Sequence, residues 1–334
     1  MIRGLARAEL LRLRKRRSLQ VIILAVPLLV GFFFVLGHGS IYEPPPFDPV
    51  AYRAQLLADG FGIGMPPEEL EQLLDEAVGF AEEDQERQLE YAALTRATFH
   101  FPYSLVTVLG YGTFVLLALV LLAATTTGDE FGWGTVRTTL LANSHRRGVL
   151  LVRIGALVVA AMLMFGLLLL LGTILPFVLG VGSGRLPATL PTFDYGALVV
   201  LLGGLLLASV AVIGLATLAT LVVRSGALTL VVVLIYVVVE AAILLALTRF
   251  QQFGFDSQGR PGELAWLLDA FPVRGLATLS TAAGQAASGL PPFGGDAVVR
   301  DLAPVALPFL SLTIAAIIFL ALAFRRFGRM DIVE

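Results

Sequence analysis

The residue types that carry enzymatic chemistry are sparse in this chain. Lys15 is the only lysine and lies in an arginine-rich run, so a G-x-x-x-x-G-K-[ST] phosphate-binding loop is excluded. The absence of cysteine excludes disulfides, thiolate catalysis and cysteine-ligated metals. Neither a G-x-S-x-G nor an H-E-x-x-H motif occurs. We therefore predict that the chain is not an enzyme and that any ATP hydrolysis takes place on another chain.

The histidines and the glycine-rich runs do not predict a cofactor site. His38 and His100 flank the same segment and could meet, but His145 lies far from both, and a zinc site needs more than two ligands. Surface histidines are the favoured interpretation. The glycines at 60, 62 and 64 and at 180, 182 and 184 lie in loops with no preceding strand or fitting helix, so we exclude a nucleotide-binding loop. No metal or cofactor is predicted in this chain.

Glu240 is the one ionisable residue well inside a hydrophobic segment, where it follows Tyr236 and three valines. On insertion scales, an ionisable side chain at such a depth costs about 2.5–3.5 kcal/mol, so it should face a cavity, a partner or a neutralising proton. We take Glu240 as the candidate polar contact in a substrate path. A paired or neutral structural glutamate is an equally supported interpretation.

The hydrophobic segments predict an all-α polytopic membrane protein with one membrane domain, residues 1–334. Hydrophobic residues make up 57% of the chain against 14% charged, and the mean hydropathy is +0.87. Uncharged segments long enough to cross about 30 Å of hydrocarbon number six. They are residues 19–36, 104–127, 154–179, 195–223, 225–247 and 304–324. An amphipathic pattern over residues 2–17 predicts an interfacial helix that leads into the first segment, with Glu9 on its apolar face.

Two polar segments lie on the side opposite the termini in this topology. Residues 38–101 predict a helical cap, in which Pro66, Pro67, Glu68 and Glu69 open a long helix with one strongly acidic face. That face could attract a cation, but a solvated surface is the favoured interpretation. Residues 249–303 are half apolar and predict short re-entrant or interfacial helices that meet at Phe271 and Pro272.

Residues 128–153 are the one long polar interruption that combines helical character with clustered arginines. Apolar residues recur at three-to-four spacing from Val136, and Thr135 can cap, which is typical of a short amphipathic helix at a membrane surface. Any multi-span protein also places polar, arginine-bearing loops on its cytoplasmic side, so both interpretations stand. Fifteen basic residues lie on the side of the termini and eight on the other, which predicts cytoplasmic termini and a cytoplasmic 128–153 segment.

Several local patterns, taken together, point to one family. They are Glu9 before the arginine-rich run; Glu130, Gly134, Thr135, Val136, Arg137, Leu140, Leu141, Arg146 and Arg147 after the second hydrophobic segment; Phe271-Pro272; and Arg325-Arg326 leading to Met330-Asp331-Ile332. With these features the chain resembles, over essentially its whole length, the membrane subunits of ABC transporters of the type-2, export-associated family. Where family members usually have a proline and a later lysine, this chain has the run from Asn143 to His145 and Arg153.

The resemblance implies a permease that moves a hydrophobic or amphipathic substrate outward. Residues 128–147 would form a cytoplasmic coupling helix that docks on a separate ATP-binding cassette subunit, which holds the ATP and Mg²⁺. The contact residues it implies are Glu130, Gly134, Thr135, Arg137, Arg146 and Arg147. The N-terminal helix would be the elbow helix, and a second permease copy, identical or not, would complete a substrate route.

The expected location is the plasma membrane of a bacterium. Expected partners are membrane lipids and a small-molecule, peptide or lipid substrate, with no nucleic acid. Two alternatives stay open. The chain could transport lipids or cell-envelope components, or it could be a non-transporting sensor or scaffold whose external cap binds a ligand.

Overall fold

A computed structural model of the chain describes residues 2–42, 44–132, 146–180, 190–253, 271–290 and 305–329. Within these ranges the regular structure is helical, without a strand. The helices are α1 Ile2–Lys15, α2 Arg17–Gly39, α3 Pro49–Ala58, α4 Pro67–Ala97, α5 Ser104–Gly110, α6 Gly112–Gly132, α7 Arg146–Val178, α8 Tyr195–Val223, α9 Gly226–Phe253, α10 Pro272–Ser288 and α11 Ala306–Gly328.

Among the described residues, six helical segments are long and apolar enough to cross a bilayer, which confirms the six predicted from hydropathy. They are α2, the pair α5 and α6 taken together, and α7, α8, α9 and α11. The second one differs from the prediction, because the helix is interrupted at Tyr111 between two glycines. Glycine is the weakest helix former after proline, so the interruption falls where helical preference is lowest.

Helix α8 lies at the centre of the packing and contacts α6, α7, α9, α10 and α11. Half of the residues in its most apolar stretch are buried, compared with 17% in α9 and 28% in both α2 and α11. Most side chains of α9 are therefore exposed on the surface of the protein. Helix α8 ends at Val223, its C-cap residue Arg224 has a left-handed conformation (φ 56°), and α9 begins at Gly226. The two helices are thus antiparallel neighbours, as the short connection predicts.

The segment between the first two spans forms the helical hairpin α3–α4. Helix α4 begins at Pro67 with Glu68 and Glu69 in its first turn, as predicted. Helix α3 was not predicted, although the sequence contains its start signal. The Asp48 carboxylate accepts hydrogen bonds from the backbone N–H groups of Val50 (2.9 Å) and Ala51 (3.2 Å), and Pro49 occupies the first helical position.

The 249–303 segment contains α10, which begins at Pro272, one of the two residues at which short helices are predicted to meet. Phe271 is its N-cap residue, and Gly289 ends it in a left-handed conformation. Helix α10 packs against α8 and α11, and Leu279 at its centre is fully buried. Residues 254–270 of the same segment lie outside the described residues.

Helices α6 and α9 approach each other at backbone distance where Gly128 faces Gly226. A Cβ atom built on Gly128 would lie 2.5 Å from both the Cα and the N of Gly226. These are backbone atoms, which a rotamer change cannot move aside. The two glycines therefore set the spacing of α6 and α9 at the end nearest the termini.

We expect Gly128→Ala to lower the free energy of unfolding by about 1–3 kcal/mol, because the added methyl group forces two backbones apart. The measurement is thermal unfolding of the purified protein in detergent. Gly155→Ala in α7 is the matched control, because a Cβ at that position meets no atom within 4 Å. If both variants unfold at the wild-type temperature, the α6–α9 approach does not limit the packing.

Candidate functional site

The candidate site consists of the C-terminal end of α6 and the N-terminal end of α7, which residues 133–145 connect. Helix α6 ends at Gly132 and α7 begins at Arg146, so both ends of the 128–153 segment are helical continuations of the second and third spans. The C-terminal end of α11 lies on the same face, because a Cβ on Gly328 would be 3.7 Å from Nε of Arg147. This face of the molecule, which we call the terminal face, also carries α1.

The end of α6 is tied to the corner between α1 and α2. Arg16 has an extended backbone (φ −73°, ψ 124°) that separates the two helices. Its guanidinium Nη1 lies 3.1 Å from Oδ2 of Asp129 and donates a hydrogen bond to the carbonyl oxygen of Thr125 at 3.3 Å. Because one guanidinium contacts both a side chain and a backbone carbonyl of α6, it fixes the corner to the last turns of that helix.

The beginning of α7 is tied to the middle of α1. Nε of Arg153 lies 3.4 Å from Oε1 of Glu9, and the exposed fractions of the two side chains are 4% and 19%. Glu9 also lies 3.7 Å from Nη1 of Arg12. A buried guanidinium is costly unless a carboxylate compensates its charge. The acidic residue that breaks the apolar face of α1 is therefore the partner of a buried arginine in the third span.

Helix α1 thus bridges the two ends of the 133–145 segment. One ion pair joins the end of the N-terminal helix to α6, and the other joins its middle to α7. The Gly128–Gly226 approach adds α9 to the same assembly. A force applied at either helix end would therefore reach α1, α2 and α9 through close contacts.

The predicted contact residues lie partly outside the described structure. Gly134, Thr135 and Arg137 are in the 133–145 segment and lie outside the described residues. Glu130 and Arg146 occupy helical positions in α6 and α7, but their side chains are outside the described part of the structure. Arg147 is exposed beside the end of α11. The assignment of these residues to a partner contact stays a prediction.

Glu240 lies far from the terminal face, about 21 Å along α9 from its start, given a rise of 1.5 Å per residue. Only 3% of the residue is exposed. Its Oε1 accepts a hydrogen bond of 2.5 Å from the backbone N–H of Val273, in the first turn of α10. The N-cap residue of α10, Phe271, supplies no capping side chain. The side chain of Glu240, which belongs to α9, caps the start of α10 instead.

The polar residues outside these contacts do not assemble a metal site within the described ranges. His38 is within electrostatic range of His100 and Arg96, so the two histidines that flank the cap do come near each other. Tyr103, at the base of the cap, donates a hydrogen bond to the carbonyl oxygen of Pro191, and burial raises the pKa of its hydroxyl. The Tyr103–Pro191 hydrogen bond joins the start of the second span to the residues just before α8.

Sequence reasoning missed the ion pairs that join α1 to α6 and α7. Signals for them were present: Glu9 interrupts an apolar face, and Arg153 lies within an apolar run. Neither signal identifies the partner, because the paired residues are more than 100 positions apart.

No protein-family model, curated protein or solved structure matches this chain. What supports a function is therefore the geometry of its own residues together with the sequence resemblance.

We expect Glu9→Gln to lower the free energy of unfolding by about 1–3 kcal/mol, because the buried guanidinium of Arg153 loses the charge of the Glu9 carboxylate. The measurement is thermal unfolding of the purified protein. Glu83→Gln on α4 is the matched control, since the pair Glu83–Arg87 is 70% exposed at both side chains and should contribute less than about 0.5 kcal/mol. Equal effects of the two variants would contradict a special role for the Glu9–Arg153 pair.

Proposed function

We propose that this chain is the membrane-spanning permease subunit of an ATP-driven ABC exporter and that a separate ATP-binding subunit docks on the terminal face. The proposal rests on one observation. Ion pairs from α1 and the residue that follows it hold both α6 and α7, the two helices that flank the 133–145 segment. A docking segment transmits movement only if the helices on either side of it are held firmly. The Arg16–Asp129 and Glu9–Arg153 pairs supply such a hold.

The chain's lack of a P-loop fits this division of labour, since Lys15 is its only lysine. In the proposed mechanism, ATP and Mg²⁺ bind to the partner subunit. Closure of that partner pushes on the 128–147 segment through its contact residues. Helices α6 and α7 then move together with α1, and access to the substrate changes from one side of the membrane to the other.

The residues we assign to the partner contact include three arginines, a glutamate and Thr135, the predicted N-cap residue of the coupling helix. They are Glu130, Gly134, Thr135, Arg137, Arg146 and Arg147. Arginine suits such a contact because its planar guanidinium pairs with carboxylates at two points.

A second permease copy fits the uneven burial of the spans. Helix α9 turns most of its large apolar side chains outward, among them Leu234, Ile235 and Val238. Lipid tails or another copy of the chain would cover such a surface. We propose a homodimer or heterodimer with the substrate route at its interface. The substrate would be hydrophobic or amphipathic, including lipids and cell-envelope components, and would travel outward across the plasma membrane.

The main rival from another class is a membrane sensor whose cap binds a ligand. The observation in its favour is the size of α4, whose 31 residues carry a long exposed acidic face. Such a sensor needs no ATPase partner, so the two proposals differ in what binds the terminal face.

We expect Arg137→Ala to abolish the substrate-stimulated part of ATP hydrolysis, because the partner's movement no longer reaches the spans. The permease is co-expressed and co-purified with a candidate ATP-binding subunit and reconstituted in liposomes, where hydrolysis and transport are measured. Glu130→Gln should behave in the same way.

Arg87→Ala, on the exposed surface of the cap, is the control and should keep wild-type hydrolysis and transport. If no ATP-binding subunit co-purifies with the wild-type chain, the permease proposal is wrong and the sensor proposal gains support. If Arg137→Ala transports normally, the 128–147 segment is not the coupling element.

A further inference from the structure

The charged residues of α1 divide between two sides of the helix. Glu9 and Leu13 are four positions apart and share the side that faces the protein, where Glu9 pairs with Arg153 of α7 and Leu13 is 5% exposed. Arg16, the residue after the helix, pairs with Asp129 of α6. The ion pairs that hold α6 and α7 therefore come from the inward side of α1 and from the corner that follows it.

The outward side of α1 is exposed and basic. Arg7, Arg14 and Lys15 are exposed there, and so is Arg17 at the start of α2. Within the described part of the chain, none of these four side chains forms an ion pair with a carboxylate. Glu9, the one acidic residue in the sequence of α1, lies on the inward side. The outward side is therefore left with a net positive charge.

Two exposed leucines lie among these basic residues. Leu10 and Leu11 are 43% and 47% exposed. Leu11 follows Arg7 by four positions and Leu10 precedes Arg14 by four, so leucines and arginines share the outward side. A single residue separates α1 from the first span, which places this side next to the point where the chain enters the bilayer. Such a mixture is typical of a helix in the membrane interface, with its leucines among acyl chains and its basic groups at the phosphates.

We propose that the outward side of α1, together with Arg17, is a binding surface for anionic phospholipid headgroups on the terminal face. The guanidinium and ammonium groups donate hydrogen bonds to phosphate oxygens, and the attraction of several basic residues to an anionic membrane surface is cumulative. Leu10 and Leu11 favour a lipid as the occupant, since a soluble phosphate compound would leave them in water. A permease and a sensor would carry this surface alike.

Anionic lipid at this surface acts on both flanks of the 133–145 segment. Glu9 joins the inward side of α1 to α7, and Arg16 joins the following corner to α6. Headgroups that hold the outward side of α1 therefore also restrict the movement of α6 and α7 relative to the membrane surface.

Lipid-specific fluorescence quenching tests this surface in the full chain. Ala8 is exposed on α1 and the chain has no cysteine, so a bimane fluorophore can be attached at Ala8→Cys alone. The labelled protein is reconstituted in phosphatidylcholine liposomes that contain either phosphatidylglycerol or phosphatidylcholine brominated on the acyl chains. Both quenchers lie at the same depth, so their difference measures headgroup preference at α1. We expect phosphatidylglycerol to reach half-maximal quenching at an about five-fold lower mole fraction.

Two double variants of the labelled chain separate α1 from the rest of the terminal face. Arg14→Gln with Lys15→Gln removes two charges from the surface and should reduce the preference to less than about two-fold. Quenching by brominated phosphatidylcholine should stay unchanged, which shows that α1 still lies at the membrane. Arg325→Gln with Arg326→Gln is the matched control, because it removes the same charge from exposed positions at the end of α11. It should keep the wild-type preference.

Three results would overturn the surface. Equal quenching by the two lipids in the wild-type chain would exclude a preference for anionic headgroups. An equal loss in both double variants would assign the preference to the overall charge of the terminal face. A preference that persists in about 1 M NaCl, where the Debye length is about 3 Å, would contradict an electrostatic attraction.

The liposomes contain no ATP-binding subunit, so none of these results bears on the proposed coupling. Failure of the Arg137→Ala test would likewise leave the lipid result valid.

Discussion

Several polar and charged groups in the apolar part of this protein have partners within the protein, which they need because hydrocarbon offers none. The Arg153–Glu9 pair shows this constraint most clearly, since a guanidinium that is 4% exposed is compensated by a carboxylate from another helix. Ser104 follows the same rule and donates a hydrogen bond of 2.6 Å to the carbonyl oxygen of Gly172. Glu240 does so for the first turn of α10. Each compensated group ties together two helices that lie far apart in the sequence.

These contacts join the helices into two groups, one on the terminal face and one on the opposite side of the molecule. On the terminal face, Arg16 and Glu9 join α1 to α6 and α7, and the Gly128–Gly226 approach adds α9. On the opposite side, Glu240 joins α9 to α10, which packs in turn against α8 and α11. Helix α9 takes part in both groups. In the proposed permease, α9 is the helix through which movement at the terminal face reaches α10.

Hydropathy was sufficient to predict the number of spans and their approximate limits, because about 20 apolar residues are needed to cross the hydrocarbon. Proline followed by two glutamates was sufficient for the start of α4. The interruption at Tyr111 was missed, because one apolar stretch covers both α5 and α6. Local patterns describe single helices well, since they depend on residues a few positions apart.

Contacts between helices could not be predicted in the same way. Glu9 and Arg153 are each unusual in their surroundings, but no periodicity relates residues 144 positions apart. The depth of Glu240 was predicted, yet its partner is a backbone N–H, which every residue except proline possesses. Whether the residues assigned to the partner contact lie together stays a prediction from the resemblance, because Gly134, Thr135 and Arg137 are outside the described residues.

The central claim is that the terminal face, with the 128–147 segment, lies inside the cell and the α3–α4 cap lies outside. The chain has no cysteine, so single cysteines can report on each side without background. Arg146→Cys marks the terminal face, and Gly79→Cys marks the cap at a position open to solvent. In intact cells, a membrane-impermeant maleimide should label Gly79→Cys and should reach Arg146→Cys only after permeabilisation. Labelling of Arg146→Cys in intact cells would contradict the proposed coupling to an ATPase.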